Sequence, residues 1–214
     1  MNPVLNSVYE ESGELRFTLS GINVSLANAI RRVILSEIPV YVFNTDSVAD
    51  NNCVIEKNTS RLHNEILKQR LGCVPIHMKV PMNPQDEDVF SSKYILELDE
   101  TNDTDNIIYV TTEHFKLKNI TNEKYCTREE LDKIFPKNEL TQCYIDFARL
   151  RPTIGDNIPG ESIKLTSKIS VSSAKQNGMF NVVSICTYAY TPDEILKNER
   201  SEEHTSELQS RQYL

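Results

Sequence analysis

The sequence has few cysteines, and none of them is spaced for a metal site or a disulfide framework. Its five cysteines are scattered over 214 residues, and the closest two, Cys126 and Cys143, lie 17 positions apart. A zinc knuckle needs two ligands within a few residues of each other, and no Cys-x-x-Cys pair provides them. The odd number and the wide spacing indicate reduced thiols in an intracellular protein.

An excess of basic charge and a long apolar run are also absent. The chain has 23 lysines and arginines against 31 aspartates and glutamates, which gives a net charge of −8. A compact DNA- or RNA-binding module usually carries the opposite sign, so we expect no direct binding to DNA. No apolar stretch approaches the length of a membrane span, and the first residues lack the regions of a signal peptide. We therefore expect an intracellular protein without a membrane segment.

The common catalytic motifs are missing as well. The sequence contains no P-loop and no dinucleotide-binding, HExxH, GxSxG or paired-aspartate motif, so we expect no catalytic residue, no cofactor and no metal. A thiol enzyme that uses Cys53 or Cys73, with His63 as a conceivable base, is an alternative. The spacing of His63 and Cys73 gives this pair little support, and a surface histidine with a buried thiol is the simpler interpretation.

The first third of the chain carries a clear pattern of strands and helices. Alternation over residues 14–20 after a Ser-Gly pair predicts a β-hairpin with a strand around residues 8–10. A helix then runs from Ser25, its N-cap, to about Glu37, and Pro39 ends it ahead of a buried strand over 40–43. The apolar residues of this helix recur at i, i+4, i+7 and i+8 as one stripe: Leu26, Ile30, Val33 and Ile34.

The remaining elements follow less regularly. Residues 46–58 are predicted to form a polar loop, and a second helix begins at Ser60 and ends at Gly72 in a left-handed cap, because Pro75 prevents continuation. A linker is predicted around Pro81 and Pro84, a hairpin of strands over 94–98 and 107–110, and a capped short helix from residue 127. Strands are predicted over 143–150, 163–169 and 181–190. Without regular βαβ alternation, this order indicates an α+β fold.

The last residues of the chain have a different character. Residues 200–210, RSEEHTSELQS, match one reading frame of a common sequencing-adapter oligonucleotide; a natural polar tail is the alternative. We therefore expect residues 200–214 to be an adapter-derived tail. The natural gene would then continue past Glu199, and this chain would be a fragment.

Two segments, taken together and in order, carry specific information. Residues 17–39 are FTLSGINVSLANAIRRVILSEIP, and residues 58–76 are NTSRLHNEILKQRLGCVPI. Together they resemble the third-largest subunit of eukaryotic RNA polymerase II and the D subunit of archaeal RNA polymerase, with the bacterial α amino-terminal domain as a more distant relative. The segment ARLRP at 148–152 and the strands after it are similar to the same family. The resemblance covers nearly all of residues 4–199.

The resemblance implies a division into domains. A dimerisation domain like the α amino-terminal domain would be discontinuous, formed by residues 1–45 and 150–199. An inserted, mostly β domain would fill residues 46–149. The resemblance also implies that the apolar stripe of the first helix is a dimer interface shared by two protomers. An ordinary helix that faces the core of its own domain is the alternative.

The function that the resemblance implies is a non-catalytic assembly platform of a multisubunit DNA-directed RNA polymerase. The chain would pair with a small L-type subunit of the same fold and recruit the large catalytic subunits and other small subunits. Arg31 and Arg32 would contact the second-largest subunit, with two solvated arginines as the alternative. Four residues form the motif of the second helix: Glu65, Arg70, Gly72 and Pro75. The expected location is the nucleus, the cytoplasm or a virion, according to the source.

The sequence departs from this family in three places. Many relatives carry a cysteine-rich zinc loop or an iron–sulfur site in the inserted domain, whereas residues 81–92 hold no cysteine, so we expect no metal there. The basic Lys-Lys-Gly and His-Ala-Lys segments of relatives are replaced by SKI at 167–169 and SAKQNG at 173–178. Relatives also have a long carboxy-terminal helix that packs against the first one, and this chain ends before it. Whether a second α-like half is fused downstream, as in some polymerases of large DNA viruses, stays open.

A stand-alone homodimeric interaction module of the same fold is the alternative function. Such a module would form a stable dimer by itself, whereas a platform subunit would be insoluble or aggregated without its partner. The behaviour of the purified chain, alone and with a partner, distinguishes the two.

The tail hypothesis gives a first prediction. Deleting residues 200–214 should leave solubility and the melting temperature unchanged within error, because an adapter-derived segment was never selected to pack against the core. Thermal unfolding of the full and the shortened chain measures this. A clear drop in the melting temperature of the shortened chain would contradict the adapter hypothesis.

Overall fold

A computed structural model describes residues 2–45, 51–81, 91–155 and 158–191. Within these ranges the chain forms ten strands and three α-helices. They group into two compact units, one of residues 2–33 with 185–191 and one of the described residues between 34 and 184. Helices together with antiparallel strands confirm the predicted α+β class. No helix in the described ranges has both the length and the apolar character to cross a membrane.

The first unit contains the predicted hairpin and most of the first helix. Strands β1 (Val4–Glu11) and β2 (Glu14–Ser20) pair in antiparallel fashion, and the turn between them has Gly13 at φ +77°. Helix α1 (Val24–Ser36) follows. Its N-cap is Asn23 rather than the predicted Ser25, since the Asn23 Oδ1 accepts a hydrogen bond from the Leu26 N–H at 2.9 Å.

The second unit is mainly antiparallel sheet. The longest sheet has the strand order β4-β9-β5-β7, and two further pairs are β3–β10 and β6–β8. The strands are β3 (Val40–Val42), β4 (Cys53–Asn58), β5 (Tyr94–Thr101), β6 (Ile108–Thr111), β7 (Lys116–Asn119), β8 (Asp146–Leu150), β9 (Ser162–Lys168) and β10 (Ser170–Ser172). The helices of this unit, apart from the last turn of α1, are α2 (Asn64–Gly72) and α3 (Arg128–Ile134).

The hydrophobic core of this unit is held together by a run of phenylalanines. Phe43, after β3, stacks on Phe135 with 6.5 Å between ring centroids, and Phe135 meets the edge of Phe115 at 5.6 Å. Phe115 in turn packs against Phe147 of β8 at 5.5 Å. Offset-stacked and edge-to-face pairs are the preferred aromatic geometries. The run connects the strand after α1 to α3 and β8.

Two predictions about strand pairing are wrong. The strands β5 and β6 do not form the predicted hairpin, because β5 lies between β9 and β7 while β6 pairs with β8. The predicted polar loop of residues 46–58 contains β4, which pairs with β9 more than 100 residues away along the chain. In both cases the pairing partner is distant in sequence, so local patterns do not reveal it.

The second helix and the chain after residue 180 also differ from the prediction. The helix α2 begins at Asn64, not Ser60, because the Asn58 side chain holds residues 58–64 in a turn through bonds to Ser60, Leu62 and Asn64. No described residue in 181–191 belongs to a strand, since none has a paired neighbour. The linker around Pro84 and residues 200–214 lie outside the described residues.

Strand pairs and core contacts run across the predicted bounds of the inserted domain. Strand β9 lies after residue 150, yet it pairs with β4 and β5 from the predicted insertion. Phe43, which is assigned to the dimerisation domain, shares a core with Phe135. The bounds of the two domains therefore stay a prediction.

Next to the junction of β8 and β9 lies a buried carboxylate, Glu161, whose side chain is only 7% exposed. It accepts hydrogen bonds from the Arg151 main-chain N–H at 2.8 Å and from the Arg151 Nε at 2.6 Å. Burial alone would raise the pKa of Glu161, but the bonds from Arg151, with a smaller effect of Arg61, outweigh burial and lower it below the ordinary 4.5.

This pair predicts a pH-dependent stability. Glu161→Gln should lower the free energy of unfolding at pH 7 by about 1–3 kcal/mol, since it removes the charged acceptor of a buried network. A carboxyl with a lowered folded-state pKa stabilises above its unfolded-state value and loses that effect as the pH falls through the folded-state value. The difference in free energy of unfolding between the unaltered chain and Glu161→Gln, measured in urea, should therefore shrink below about pH 4.5.

The exposed Glu139 provides the matched control for this experiment, because its carboxylate has no ion pair among the described residues. Glu139→Gln should change stability little at either pH. A Glu161→Gln gap that is as wide at pH 3 as at pH 7 would contradict the assigned role of the carboxylate.

Candidate subunit interface

The apolar stripe of α1 lies at the protein surface. Leu26 is 44% exposed, Ile30 41% and Val33 50%, and no residue of α1 is buried. Ile34, the fourth member of the stripe, is half-buried. A helix of 13 residues with one apolar face normally turns that face to a core. The stripe therefore has the residue types of a buried helix face, although its side chains are about half exposed to solvent.

The hairpin ahead of α1 has the same character. Every residue of β1 is exposed, and β2 has only two half-buried residues. Six of its large apolar side chains are among the exposed ones: Val4, Leu5, Val8, Tyr9, Leu15 and Phe17. An isolated two-stranded hairpin is marginal in water, and contiguous exposed apolar side chains are typical of contact surfaces. Sequence reasoning identified the hairpin but not its exposed apolar residues.

The two arginines predicted to contact a large subunit lie in the middle of α1. Arg31 is half-buried, and its Nε donates to the Asn28 Oδ1 one turn earlier at 3.1 Å. Arg32 is exposed. The side-chain bond fixes the direction of the Arg31 guanidinium on the helix surface. The contact of both residues with the second-largest subunit stays a prediction.

The end of α1 is capped by a segment that the sequence patterns did not single out. The Lys175 main-chain N–H donates to the Ser36 carbonyl at 2.9 Å, and the Lys175 Nζ pairs with the Glu37 carboxylate at 3.3 Å. A cation and an N–H donor at a helix C-terminus satisfy free carbonyls and oppose the negative end of the helix dipole. Residues 173–176 therefore fix the last turn of α1.

The motif of the second helix mostly serves packing. The Arg70 guanidinium donates to the main-chain carbonyls of Asp146 and Phe147, each at 2.7 Å, and so fastens α2 to β8. Leu67 and Leu71 on the same helix are fully buried. Arg70 thus holds α2 and β8 together. The spacing of the motif residues in the sequence did not reveal this role.

Gly72 lies where α2 packs closely against its neighbours and does not form a left-handed cap, so that prediction is wrong. It lies inside α2, and the residue after it, Cys73, has ordinary right-handed geometry at φ −84°. A Cβ at position 72 would come within 2.8 Å of the Met179 sulfur and 3.4 Å of the Phe43 carbonyl oxygen. Glycine lets α2 approach the chain that follows β3.

The other two residues of the motif are exposed. Glu65 lies in the first turn of α2, beside a shallow polar cleft of about 330 Å³ that Asn58 and His63 also line. Pro75 follows the helix between the buried Val74 and Ile76. The four motif residues therefore do not form one site: Arg70 and Gly72 act in packing, and Glu65 and Pro75 face solvent.

The geometry gives no support to a thiol enzyme. His63 and Cys73 lie at opposite ends of α2, ten residues apart, which at ~1.5 Å per residue is about 15 Å. Cys53 is 1% exposed, and burial raises the pKa of its thiol to about 11, with Lys68 opposing this weakly. A thiol with that pKa is almost fully protonated at pH 7. Within the described ranges no three His, Cys, Asp or Glu side chains group as they would around a metal ion.

The family is decided by a match over most of the chain. Residues 16–198 match the family of the RNA polymerase Rpb3/Rpb11 dimerisation domain. The chain belongs to this family. The match includes the exposed helix α1, most of strand β2 and the whole described part of the second unit, so the predicted resemblance is confirmed.

Curated relatives agree with this family. Subunit rpac1 of DNA-directed RNA polymerases I and III from Dictyostelium discoideum is 40% identical over 72 residues, which are 34% of this chain and 19% of that protein. Subunit Rpo3 from Pyrobaculum aerophilum is 39% identical over 83 residues, or 38% of this chain and 29% of the relative. Subunit 3B of RNA polymerases IV and V from Arabidopsis thaliana is 24% identical over 203 residues, or 90% and 58%. The chain thus spans less than two thirds of each relative.

The contact between α2 and β8 gives a prediction for the second motif. Arg70→Met should lower the free energy of unfolding by about 2 kcal/mol, because two main-chain carbonyls lose a charged donor. Urea unfolding measures the difference. The adjacent, exposed Gln69 is the control, and Gln69→Met should have little effect. Equal stability of the two variants would show that Arg70 does not fasten α2.

Proposed function

We propose that this chain is a non-catalytic assembly platform of a DNA-directed RNA polymerase. Membership of a dimerisation-domain family supports a role in pairing, and the relatives are named as subunits of such polymerases. The observation that carries the proposal is the apolar stripe of α1, which is about half exposed although the family is defined by dimerisation. The reaction itself would belong to other subunits, and the chain would act inside the cell.

The proposed partner of α1 is a small L-type subunit of the same fold. A helix with exposed Leu26, Ile30 and Val33 can bury this stripe against the equivalent stripe of a second, similar helix. The exposed apolar residues of β1 and β2 belong to the same unit and would extend the interface. Burial of several half-exposed aliphatic side chains supplies the driving force of such pairing.

The large catalytic subunits and other small subunits would assemble on the resulting pair. Arg31 and Arg32 are proposed to contact the second-largest subunit, since a planar guanidinium can bind carboxylates or carbonyls with two parallel hydrogen bonds. The bond from Arg31 to Asn28 would orient one of the two before the subunits meet. No catalytic residue, cofactor or metal in this chain is part of the proposal.

The two-domain organisation is proposed with one change. The pairing of β3 with β10 supports a dimerisation domain built from residues before 46 and residues near the end of the chain. The pairing of β9 with β4 and β5 favours a second junction after residue 168 instead of at 150. The inserted region would then hold the four-stranded sheet as a whole.

A test of the proposed pairing uses Ile30→Asp in coexpression with a candidate L-type subunit. The variant should fail to copurify with the L-type subunit, because a carboxylate buried in the interface without a compensating charge costs about 3–5 kcal/mol. The amount of partner recovered on a tag of this chain is the measurement. Circular dichroism of the variant establishes that its fold is retained.

The chain offers a matched control at Ile66 of α2, which is 40% exposed against 41% for Ile30. Ile66→Asp should copurify with the partner like the unaltered chain. If Ile30→Asp pairs normally while its fold is intact, α1 is not the dimer interface and the proposal is wrong. A stable homodimer of the chain alone, disrupted by the same change, would favour the stand-alone interaction module.

A further inference from the structure

The sequence contains one Asn-Gly pair, formed by Asn177 and Gly178. Asparagine is one of the chemically labile residue types of proteins. In an Asn-Gly pair the main-chain nitrogen of the glycine can attack the side-chain amide carbon of the asparagine, because glycine has no side chain to hinder the approach. Asn177 is half-buried and Gly178 is exposed, so solvent reaches the pair.

The attacking nitrogen of Gly178 is accessible in the structure. Gly178 begins a short 3₁₀ helix, Gly178–Phe180, which we call the 178–180 turn. Its N–H has no hydrogen-bond partner among the described residues. A Cβ at position 178 would meet no heavy atom within 4 Å, so no neighbouring group shields this side of the main chain. The nitrogen can therefore lose its proton to solvent without breaking a bond of the fold.

The side-chain amide of Asn177 is held beside this nitrogen. Its Oδ1 accepts a hydrogen bond from the Met179 N–H at 3.1 Å, which makes Asn177 the N-cap of the 178–180 turn. Negative charge develops on Oδ1 as the nitrogen attacks, and an N–H already directed at that oxygen stabilises the charge. The Asn177 Nδ2, which leaves, has no hydrogen-bond partner among the described residues.

The main chain around Asn177 is connected to both α1 and α2. Residues 173–176, directly before it, fix the last turn of α1. On the other side, the Phe180 N–H donates to the Asn177 carbonyl at 3.1 Å, and the Phe180 ring is only 4% exposed. Met179 lies against α2, since a Cβ at Gly72 would come within 2.8 Å of its sulfur. A change of the main chain at position 177 therefore affects the packing of two helices.

We propose that Asn177 deamidates in the folded chain, so that position 177 is a site of spontaneous covalent modification. The Gly178 nitrogen forms a bond to the Asn177 Cγ and gives its proton to solvent. The bond from Cγ to Nδ2 then breaks, and ammonia leaves behind a five-membered succinimide. Water opens this ring: addition at Cγ gives aspartate, and addition at the main-chain carbonyl carbon gives isoaspartate. The inference does not depend on the proposed function.

The two products differ in their effect on the fold. Aspartate keeps an acceptor for the Met179 N–H, and it is as good an N-cap as asparagine. In isoaspartate the main chain runs through the side-chain carbons and is one carbon longer. The 178–180 turn then shifts relative to residues 173–176, and Met179 and Phe180 lose their packing. We therefore expect only the isoaspartate product to destabilise the chain.

The test keeps the purified chain at pH 8 and 37 °C for several days and measures the conversion of each asparagine by peptide mass spectrometry. Asn177 should convert about tenfold or more faster than Asn122, because reaction requires an unhindered nitrogen positioned beside the amide carbon. Asn122 is exposed like Gly178 but is followed by Glu123, whose side chain hinders the attack. Fragmentation by electron transfer distinguishes isoaspartate from aspartate in the product.

The matched control is Gly178→Ala, because its Cβ has open space and leaves the fold intact while it hinders the nitrogen. Conversion of Asn177 in this variant should fall about tenfold. Unchanged conversion in Gly178→Ala, or equal conversion of Asn177 and Asn122, would overturn the inference. Conversion that occurs only in chain unfolded with urea would show that the fold protects Asn177, and it would overturn the inference too.

Thermal unfolding tests the expected effect of the two products. The variant Asn177→Asp reproduces the aspartate product and should melt like the unaltered chain. The isoaspartate fraction, separated by chromatography, should melt at a lower temperature. Equal melting of this fraction and Asn177→Asp would contradict the loss of packing at Met179 and Phe180.

Discussion

The role proposed for this protein depends on burial of the apolar stripe on α1. The stripe of Leu26, Ile30 and Val33 repeats with the period of a helix, and each of these residues is about half exposed. Strands β1 and β2 present further apolar side chains in the same unit. Water in contact with so much apolar surface is unfavourable, and the proposed second subunit with a similar stripe would remove it. The proposed pairing thus follows from the sequence of the first 36 residues.

The second unit, in contrast, has a buried hydrophobic core of its own among the described residues. Aromatic packing from Phe43 to Phe147 forms its core, and Arg70 connects α2 to β8 through two carbonyls. The buried Glu161 joins the chain after β8 to the chain before β9 through its bonds from Arg151. Because these contacts lie within the second unit, Arg70 and Gly72 of the second-helix motif serve packing and not a reaction.

Periodicity in the sequence predicted the elements whose contacts are local. The β1–β2 hairpin, α1 and the capped helix α3 follow from patterns within a few residues, and the structure confirms them. The strand β4 was missed because its partner is β9, and the supposed hairpin of β5 and β6 was wrong because each strand pairs with a distant one. For the candidate interface and the second-helix motif, too, the sequence predicted only what depends on local spacing. The stripe on α1 was predictable from spacing, whereas the carbonyl targets of Arg70 and the close approach at Gly72 depend on the tertiary fold.

Hydrogen–deuterium exchange of the chain, alone and with the proposed small L-type partner, tests the central claim most directly. Amide exchange reports local opening, so burial of a helix in an interface slows exchange along it. The account predicts that residues 24–36 and the β1–β2 hairpin become protected when the partner binds, while α2 is unchanged. A complex that forms without added protection of α1, or that protects α2 instead, would contradict it.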